Sequence, residues 1–437
     1  MSLAWPVFLA QLAQTAIGFV DTLMAGHYST VDLAAIALGS GIWLPLFLSC
    51  QGLLMATTPL VAHLVGASQT EATRAQLHIG LFLALLLSGL AFLLLQNSHV
   101  LLQYMEIDPA LARITQRYLA AISWGFPALF VYQLLRCYVE GFGKTRPGMQ
   151  IALIGLLCNI PLNYVLIYGK LGLPELGAAG CGWASSLVLW IMLASMLIYL
   201  KRASLFGQLQ LFSGWQRPSW GQLWPFIRLG MPIGMALLIE VSMFTLIGLL
   251  LADLGETQIA AHQITISFTG LIFMLPLSLS MAMTIRVGHH LGRKNPQAAL
   301  HTARCGLQLA FLFACLAALG IGLFNQRIAG LYTQDPVLID ICISLLWVAL
   351  LFQFPDALQI TTSGILRGHK DTAVPLLLVF LAYWCFGLPL GYVLAKTDWI
   401  TTPLGALGFW YGLLGGLTAG AILLISRYYH INRRYLA

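Results

Sequence analysis

Long apolar segments dominate this sequence, and each is long enough to cross a lipid bilayer as a helix. A spanning helix needs roughly 20 mostly apolar residues, and a scan at that length finds about twelve segments. Runs such as 79–95 and 307–324 are continuously apolar, which favours helices over the alternating strands of a membrane barrel. The segments are 3–25, 33–64, 77–96, 111–140, 147–168, 179–200, 223–251, 258–291, 301–324, 337–366, 373–395 and 405–427. We therefore predict an all-α integral membrane protein with twelve transmembrane helices.

The composition of the 437 residues excludes the soluble classes of protein. Hydrophobic residues make up 59% of the chain and charged residues only 8%, against about 25% charged in a typical soluble domain. A soluble enzyme or a nucleic-acid binder could not cover its surface with so little charge. The net charge of +7 needs no nucleic acid as partner, because cytoplasmic loops of membrane proteins are enriched in Lys and Arg.

Basic residues are distributed unevenly between the two predicted sides of the membrane. Most of the 22 lysines and arginines lie in the loops after even-numbered segments, at the flanking helix ends or in the C-terminal tail, among them Arg217 and Arg434. The opposite side holds Arg113, Arg117, Lys170, Arg327 and Lys396. This bias predicts that both termini are cytoplasmic.

The second half of the chain repeats the first at a nearly constant shift. The matched pairs include Pro6 and Pro232, His63 and His289, Asp108 and Asp335, Tyr164 and Tyr392, and Gly180 and Gly408. Each half has six predicted helices, and an even number returns the chain to the same face, so the repeat is parallel. We predict two six-helix lobes related by a pseudo-two-fold axis along the membrane normal. Helices 1–6 form the lobe at 1–202, a cytoplasmic connector covers 203–222, and helices 7–12 form the lobe at 223–437.

Three acidic residues lie well inside apolar segments: Asp21 on the first, Glu240 on the seventh and Asp356 on the tenth. A carboxylate near the bilayer centre costs about 2.5–3.5 kcal/mol, so it usually faces a cavity or a partner. We predict that these acids are functional; the alternative is a hydrogen-bonded tie between helices.

Polar stripes accompany the acids. Gln11, Gln14, Gly18 and Asp21 recur at helical spacing. So do Asp356, Gln359, Ser363 and Arg367 on the tenth segment, and Asn159 and Asn163 on the fifth. We expect Gln14, Asn159, Asn163, Gln359, Ser363, Phe352 and Gln263 to line a cavity. Interhelical hydrogen bonding, worth about 0.6 kcal/mol per pair, remains the alternative for the stripes, and a capping role remains the alternative for Gln263.

The repeat does not duplicate the acids. Glu240 falls opposite Gln14, Asp21 falls opposite Ile247, and Asp356 falls opposite Ala128 or Leu129. A purely architectural acid would more naturally be duplicated with the scaffold. We infer that the two lobes do different jobs, one with a single acid and the other with two.

Buried carboxylates can serve two kinds of ion coupling. One can carry a proton, and an ionised pair with nearby oxygens can hold Na⁺. An anionic cavity also attracts organic cations, and mutually exclusive binding of cation and cargo would give antiport.

Short motifs spread through the chain resemble one known family. They are 18–26 (GFVDTLMAG), 159–164 (NIPLNY), 180–182 (GCG), 260–263 (AAHQ), 286–288 (RVG) and 366–368 (LRG). In this order they resemble the multidrug and toxic compound extrusion (MATE) family, NorM branch. The resemblance implies cation-coupled efflux of amphipathic, often cationic drugs, hence antibiotic resistance, from a bacterial plasma (inner) membrane.

The resemblance also implies roles for individual residues. Glu240 and Asp356 match the acids linked to Na⁺ or H⁺ binding, and Asp21 matches the acid tied to proton or drug coupling, with Asn159 nearby. Two positions depart from the family. NorM relatives often carry Tyr where this chain has Phe352, which removes one possible oxygen ligand for Na⁺. Archaeal relatives carry Asp where this chain has Asn163.

The sequence thus predicts a multidrug antiporter that is not an enzyme. We expect no cofactor beyond Na⁺ or H⁺ as coupling ion, and a monomer whose partners are small-molecule drugs, organic cations and membrane lipids. The alternatives are a lipid-linked oligosaccharide flippase of the same two-lobed architecture, a membrane-embedded enzyme and a channel. The flippase should need a basic cavity for pyrophosphate, and the enzyme should show clustered acids or histidines near one face.

Overall fold

The structure, a computed structural model, describes residues 2–105, 107–211, 213–214 and 218–436, with side chains to residue 433. Helices account for nearly all of these residues, and none of them forms a strand. The prediction of cytoplasmic termini used Arg217 and Arg434 among its basic residues. Arg217 and the side chain of Arg434 lie outside the described part of the chain.

The first of two compact units runs from Ser2 to Gly234. Its helices are α1 (Ala4–Tyr28), α2 (Thr30–Met55), α3 (Thr57–Gly66), α4 (Ala72–Gln96), α5 (Ser98–Gln103), α6 (Pro109–Ser123), α7 (Phe126–Gly141), α8 (Arg146–Ile167), α9 (Ala178–Arg202), α10 (Ser204–Gln208) and the start of α11 (Trp220–Leu250). Helix α1 packs mainly on α8, and α8 packs on α9. Polar side chains of these three helices can therefore meet.

The second unit begins at Met235, inside α11. It continues with a 3₁₀ turn (Ala252–Leu254), α12 (Glu256–Gly292), α13 (Pro296–Tyr332), α14 (Pro336–Gly368), α15 (Ala373–Phe380), a π-helix (Leu381–Gly387), α16 (Leu388–Lys396) and α17 (Ala406–Leu436). Helix α14 packs against α12, α13 and α17, so its polar stripe lies inside the unit.

The described residues contain 11 helices long and apolar enough to cross a membrane, or up to 12 when each bent pair is one span. The bent pair is α6 and α7, which meet at 46° and together cover the predicted fourth segment. The predicted class, an all-helical membrane protein, is confirmed. The predicted lobe limits and the connector at 203–222 remain predictions.

Acidic caps start equivalent helices in the two units. Asp108 Oδ1 accepts hydrogen bonds from the backbone N–H groups of Ala110 at 2.7 Å and Leu111 at 3.2 Å, which starts α6. Asp335 Oδ1 accepts from Val337 N–H at 3.0 Å and starts α14. Proline follows each cap, where its missing N–H costs nothing.

Backbone contacts also recur at the repeat shift. Leu176 N–H donates to Leu166 O at 3.3 Å in the first unit, and Leu404 N–H donates to Leu394 O at 3.0 Å in the second. Gly180 and Gly408 stand at matching close approaches of two helices, where a side chain would meet backbone atoms. The duplication seen in the sequence is thus a duplication of packing within each unit.

Candidate functional site

Three amide and hydroxyl side chains from α8 and α9 donate hydrogen bonds to Asp21 on α1. Asn159 Nδ2 donates to Asp21 Oδ1 at 2.9 Å, and Asn163 Nδ2 donates to the same oxygen at 2.6 Å. Ser185 Oγ donates to Asp21 Oδ2 at 2.8 Å. All three donors are buried, while Asp21 itself is half-buried. Neutral groups therefore fix this carboxylate, and no described basic side chain forms a salt bridge with it.

The sequence spacing anticipates part of this arrangement. Asn159 and Asn163 are one turn apart on α8, and Asn163 Nδ2 also donates to Asn159 Oδ1 at 3.1 Å. Ser185 was missed, because a single hydroxyl among the small residues of α9 gives no periodic signal. What this site does remains a prediction.

A second polar cluster in the first unit went unrecognised in the sequence. Arg136 and Glu140 on α7 are each 2% exposed and form a salt bridge, with Nε to Oε1 at 2.8 Å. The other two nitrogens of the Arg136 guanidinium also donate: Nη1 to Gln14 Oε1 at 3.3 Å and Nη2 to Gln11 Oε1 at 3.4 Å. Gln14 thus contacts a buried cation. In the sequence, Arg136 reads as one more basic residue at a helix end, and only its spacing of four from Glu140 hints at a pair.

In the second unit, Glu240 on α11 and Asp356 on α14 lie near enough for their charges to interact. Asp356 is buried and Glu240 is half-buried. Glu240 also lies within electrostatic reach of Arg367, the last residue of the α14 stripe. Two carboxylates and one guanidinium therefore share this part of the unit.

Tyr383 is an additional polar group beside this pair. Its Oη accepts a hydrogen bond from Gln359 Nε2 at 2.6 Å, and both residues are buried. Gln359 Oε1 is buried with no hydrogen-bond partner in the described part of the chain. Tyr383 lies in the π-helix, a wide turn that is frequent at functional sites. The sequence could not single it out, because tyrosines and other aromatic residues are common throughout the apolar segments.

The remaining predicted cavity residues differ in their surroundings. Phe352 is buried, and its ring packs at a tilted angle against Trp410 with the ring centroids 5.8 Å apart. Trp410 Nε1–H donates to His262 Nδ1 at 3.2 Å. The oxygen that Tyr would supply at this position is replaced by aromatic packing. Ser363 is half-buried on the α14 stripe, whereas Gln263 is exposed on α12.

The donor set around Asp356 fits a hard monovalent cation or a proton. Two carboxylates, the unpartnered Gln359 Oε1 and the Tyr383 hydroxyl supply oxygen atoms only. Carboxylate and carbonyl oxygens suit hard cations rather than soft transition metals. Among the described residues, no group of three or more His, Cys, Asp or Glu side chains is placed to hold a metal.

A duplicated, many-spanning helical fold with buried acids that differ between its halves defines a class of two-unit membrane transporters. The family model MatE matches this chain twice, at residues 6–165 and 232–393, which is the repeat seen in the sequence. The chain belongs to this family, MATE, and is a NorM-like member. The predicted resemblance is confirmed.

Two bacterial relatives are similar over nearly the whole chain. The multidrug resistance protein PmpM of Pseudomonas aeruginosa is 45% identical over 437 residues, which cover 100% of this chain and 92% of that protein. The multidrug resistance protein NorM of Aliivibrio fischeri is 42% identical over 433 residues, covering 99% of this chain and 94% of that protein.

Solved structures share the fold. A MATE protein in complex with MaL6 has a TM-score of 0.90 at 22% identity and covers 99% of this chain and 96% of that chain. An outward-facing multidrug resistance MATE family transporter has a TM-score of 0.89 at 21% identity, covering 99% and 95%. At 21–22% sequence identity, these structural similarities support the fold of this chain and nothing about its activity.

Proposed function

We propose that this chain is a multidrug efflux antiporter that exports amphipathic, often cationic drugs in exchange for inward Na⁺ or H⁺. The observation that carries the proposal is its full-length similarity to PmpM and NorM, both named multidrug resistance proteins. The buried carboxylates supply the chemistry that such exchange requires.

The second unit would hold the coupling ion. Asp356 and Glu240 would supply negative charge, and Gln359 Oε1 and Tyr383 Oη would supply neutral oxygens to a Na⁺ ion or hydrogen-bond partners to a protonated carboxyl. One charge that crosses 100 mV supplies about 2.3 kcal/mol, enough to drive a drug uphill. Exchange follows when the cation and the drug favour different conformations.

Asp21 would act in the first unit as a proton acceptor tied to drug release. Its three neutral donors, Asn159, Asn163 and Ser185, hold both carboxylate oxygens. Protonation would weaken those hydrogen bonds, since charge-assisted bonds are roughly twice as strong as neutral ones. Uptake of a proton at Asp21 would thereby loosen α1 from α8 and α9.

The setting of this activity is also part of the proposal. We place the chain in a bacterial inner membrane as a monomer without enzymatic activity, with both termini cytoplasmic. Single cysteines introduced near Lys170 and near Lys294 should label with impermeant thiol reagents from outside and from inside respectively, in a variant without native cysteines. Labelling of both from the same side would contradict this orientation.

Proteoliposomes that hold the purified chain and a fluorescent cationic drug test the function directly. Drug export is measured first under a Na⁺ gradient alone and then under a pH gradient alone. The gradient that drives uphill export identifies the coupling ion. No uphill export under either gradient, with correctly inserted protein, would overturn the proposal.

A further inference from the structure

A cavity of about 470 Å³ lies in the first unit between α6 and the start of α9. Ala120 and Ala121 on α6 and Ala179 on α9 line it, and their small side chains leave the space open. Gln96 at the end of α4 also lines it, and its Nε2 donates to Ala120 O at 3.3 Å and to Ser123 Oγ at 3.0 Å. Hydrogen bonds between helices thus hold part of the cavity wall in place.

Helices α6 and α9 run side by side in the same direction. A side chain at Gly182 on α9 would meet Tyr118 O on α6. Seven residues after Tyr118, a side chain at Gly125 would meet Ser186, which lies four residues further along α9. The first residues of both helices, and the loop before α9, therefore lie on the same side of the unit.

Charged residues line the cavity on that side, and tryptophans line it further along the helices. Glu175 lies in the loop before α9, and Trp183 lies in the second turn of α9. Arg117 precedes Trp124 by seven residues on the α6 side of the cavity, about 10 Å at 1.5 Å per residue. A change from charges to tryptophan rings is typical of the boundary between lipid head groups and acyl chains.

Trp183 belongs to a face of α9 that is exposed to lipid. Trp183, Leu187 and Trp190 recur at helical spacing, and each is at least 40% exposed. Ser185, which donates to Asp21, is buried and lies about 200° around the helix from Trp183. A ligand beside Trp183 would therefore come from the bilayer and would not occupy the Asp21 site.

The two charges of the cavity have no ionic partners within the described part of the chain. Arg117 and Glu175 are both exposed, and neither forms a salt bridge there. Tyr28 Oη donates to Glu175 Oε2 at 3.2 Å, which positions the carboxylate. A ligand that carries an anion and a cation together would complement both side chains.

The repeat keeps the scaffold of this region but not the cavity lining. The backbone hydrogen bond that closes the loop before α9 recurs before α17 in the second unit. At the repeat shift, the charged and aromatic lining residues pair as Arg117 and Ser344, Trp124 and Leu351, Glu175 and Pro403, and Trp183 and Tyr411. Because the second unit forms the same scaffold without either charge, the charges of the first unit are not required by the fold.

We propose that this cavity binds the head group of a phospholipid that carries a phosphate and a primary ammonium, as phosphatidylethanolamine does. Arg117 holds the phosphate, because a guanidinium matches phosphate oxygens with two parallel N–H donors. Glu175 accepts a hydrogen bond from the ammonium, which has three N–H donors. The rings of Trp124 and Trp183 lie beside the start of the acyl chains. The proposal does not depend on the proposed antiport, since it uses none of the coupling residues.

Two other head groups complement the cavity less well. The quaternary ammonium of phosphatidylcholine has no N–H to donate to Glu175. Phosphatidylglycerol has no cation at all, so its phosphate would meet the carboxylate without compensation. The geometry therefore predicts a preference for phosphatidylethanolamine over both.

Native mass spectrometry of the purified full chain tests this preference. The delipidated protein is titrated in detergent with each of the three lipids, all with identical acyl chains. We expect the first phosphatidylethanolamine to bind about tenfold more tightly than the first molecule of either other lipid, because one charge-assisted hydrogen bond separates them. Equal binding of the three lipids, or a preference for either of the others, overturns the proposal.

A matched pair of arginine variants assigns the binding to this cavity. Arg117→Gln should weaken the first phosphatidylethanolamine about tenfold. Arg113→Gln is the control, because Arg113 is also exposed and lies one turn earlier on α6 but lines a different cavity with His99. It should bind the lipid as the wild type does. Equal binding by the two variants overturns the proposal.

Two further variants separate the ammonium contact from the shape of the cavity. Glu175→Gln keeps an acceptor for Tyr28 but removes the charge, so it should bind phosphatidylethanolamine and phosphatidylcholine equally. A retained preference would contradict the role of Glu175. If Arg117→Gln does not give monodisperse protein, Ala179→Leu decides, since it fills the cavity and leaves both charges in place. Wild-type binding of phosphatidylethanolamine by Ala179→Leu overturns the proposal.

Discussion

Glu140→Gln tests the buried ion pair of the first unit. Glu140 and Arg136 are each 2% exposed and 2.8 Å apart, so the substitution leaves a guanidinium buried without its counter-charge. Removal of one partner of a buried pair typically costs about 3–5 kcal/mol. Because Gln11 and Gln14 still accept hydrogen bonds from Arg136, we expect the lower end, about 3 kcal/mol of the free energy of unfolding. Unfolding in mixed micelles of detergent and increasing SDS measures this quantity.

Two further proteins make this measurement decisive. The double change Arg136→Met with Glu140→Leu removes both charges together and should recover most of the lost stability, since well-packed apolar replacements of buried pairs are often neutral. Asp253→Asn breaks the Lys396–Asp253 pair, whose Asp253 side chain is 80% exposed, and should leave the unfolding curve unchanged. A Glu140→Gln protein as stable as wild type would refute the reasoning.

Three other substitutions probe the coupling sites and the scaffold. Glu240→Gln and Asp356→Asn should each reduce gradient-driven drug export from vesicles to background at wild-type protein levels; wild-type rates in either would contradict a coupling role. Asn163→Ala removes the 2.6 Å donor to Asp21 and should change the pH dependence of drug release, measured by fluorescence quenching, and an unchanged profile would count against that role. Gly408→Ala places a Cβ in steric conflict with the backbone N of Ala395 and should lower the yield of monodisperse protein, whereas Gly320→Ala, with open space around it, should not.

The fold was predictable because its signals are long and redundant. Predicted segments such as 147–168 and 337–366 match α8 at Arg146–Ile167 and α14 at Pro336–Gly368. In a bilayer the backbone must satisfy its own hydrogen bonds, so a long apolar run leaves few alternatives to a helix. The repeat then fixed which helices correspond, which the Asp108 and Asp335 caps bear out.

The site was only partly predictable, because polarity at membrane depth identifies a residue but not its partner. Asp21, Glu240 and Asp356 stand out by their cost in lipid. Arg136 does not stand out in the sequence, because basic residues near helix ends are also common where a helix meets the cytoplasm. Tyr383 does not, because its role depends on a π-helical turn that no composition signal marks.

Duplication makes the polar differences between the units informative. The caps and the glycine contacts recur at the repeat shift, so they serve the scaffold that both units share. Glu140 and Arg367 occupy one scaffold position with opposite charge, so that position is free of any architectural demand for a particular sign. Asp21 in the first unit and Asp356 in the second are the added acids, and neither forms a salt bridge with a described basic side chain. If the proposed antiport binds one cation at each of these two acids, the exchange should carry two positive charges inward for each drug cation exported. Voltage-dependent export from vesicles clamped by a K⁺ gradient with valinomycin measures that number, and export that does not respond to the clamp would rule out such a charge imbalance for a monovalent drug.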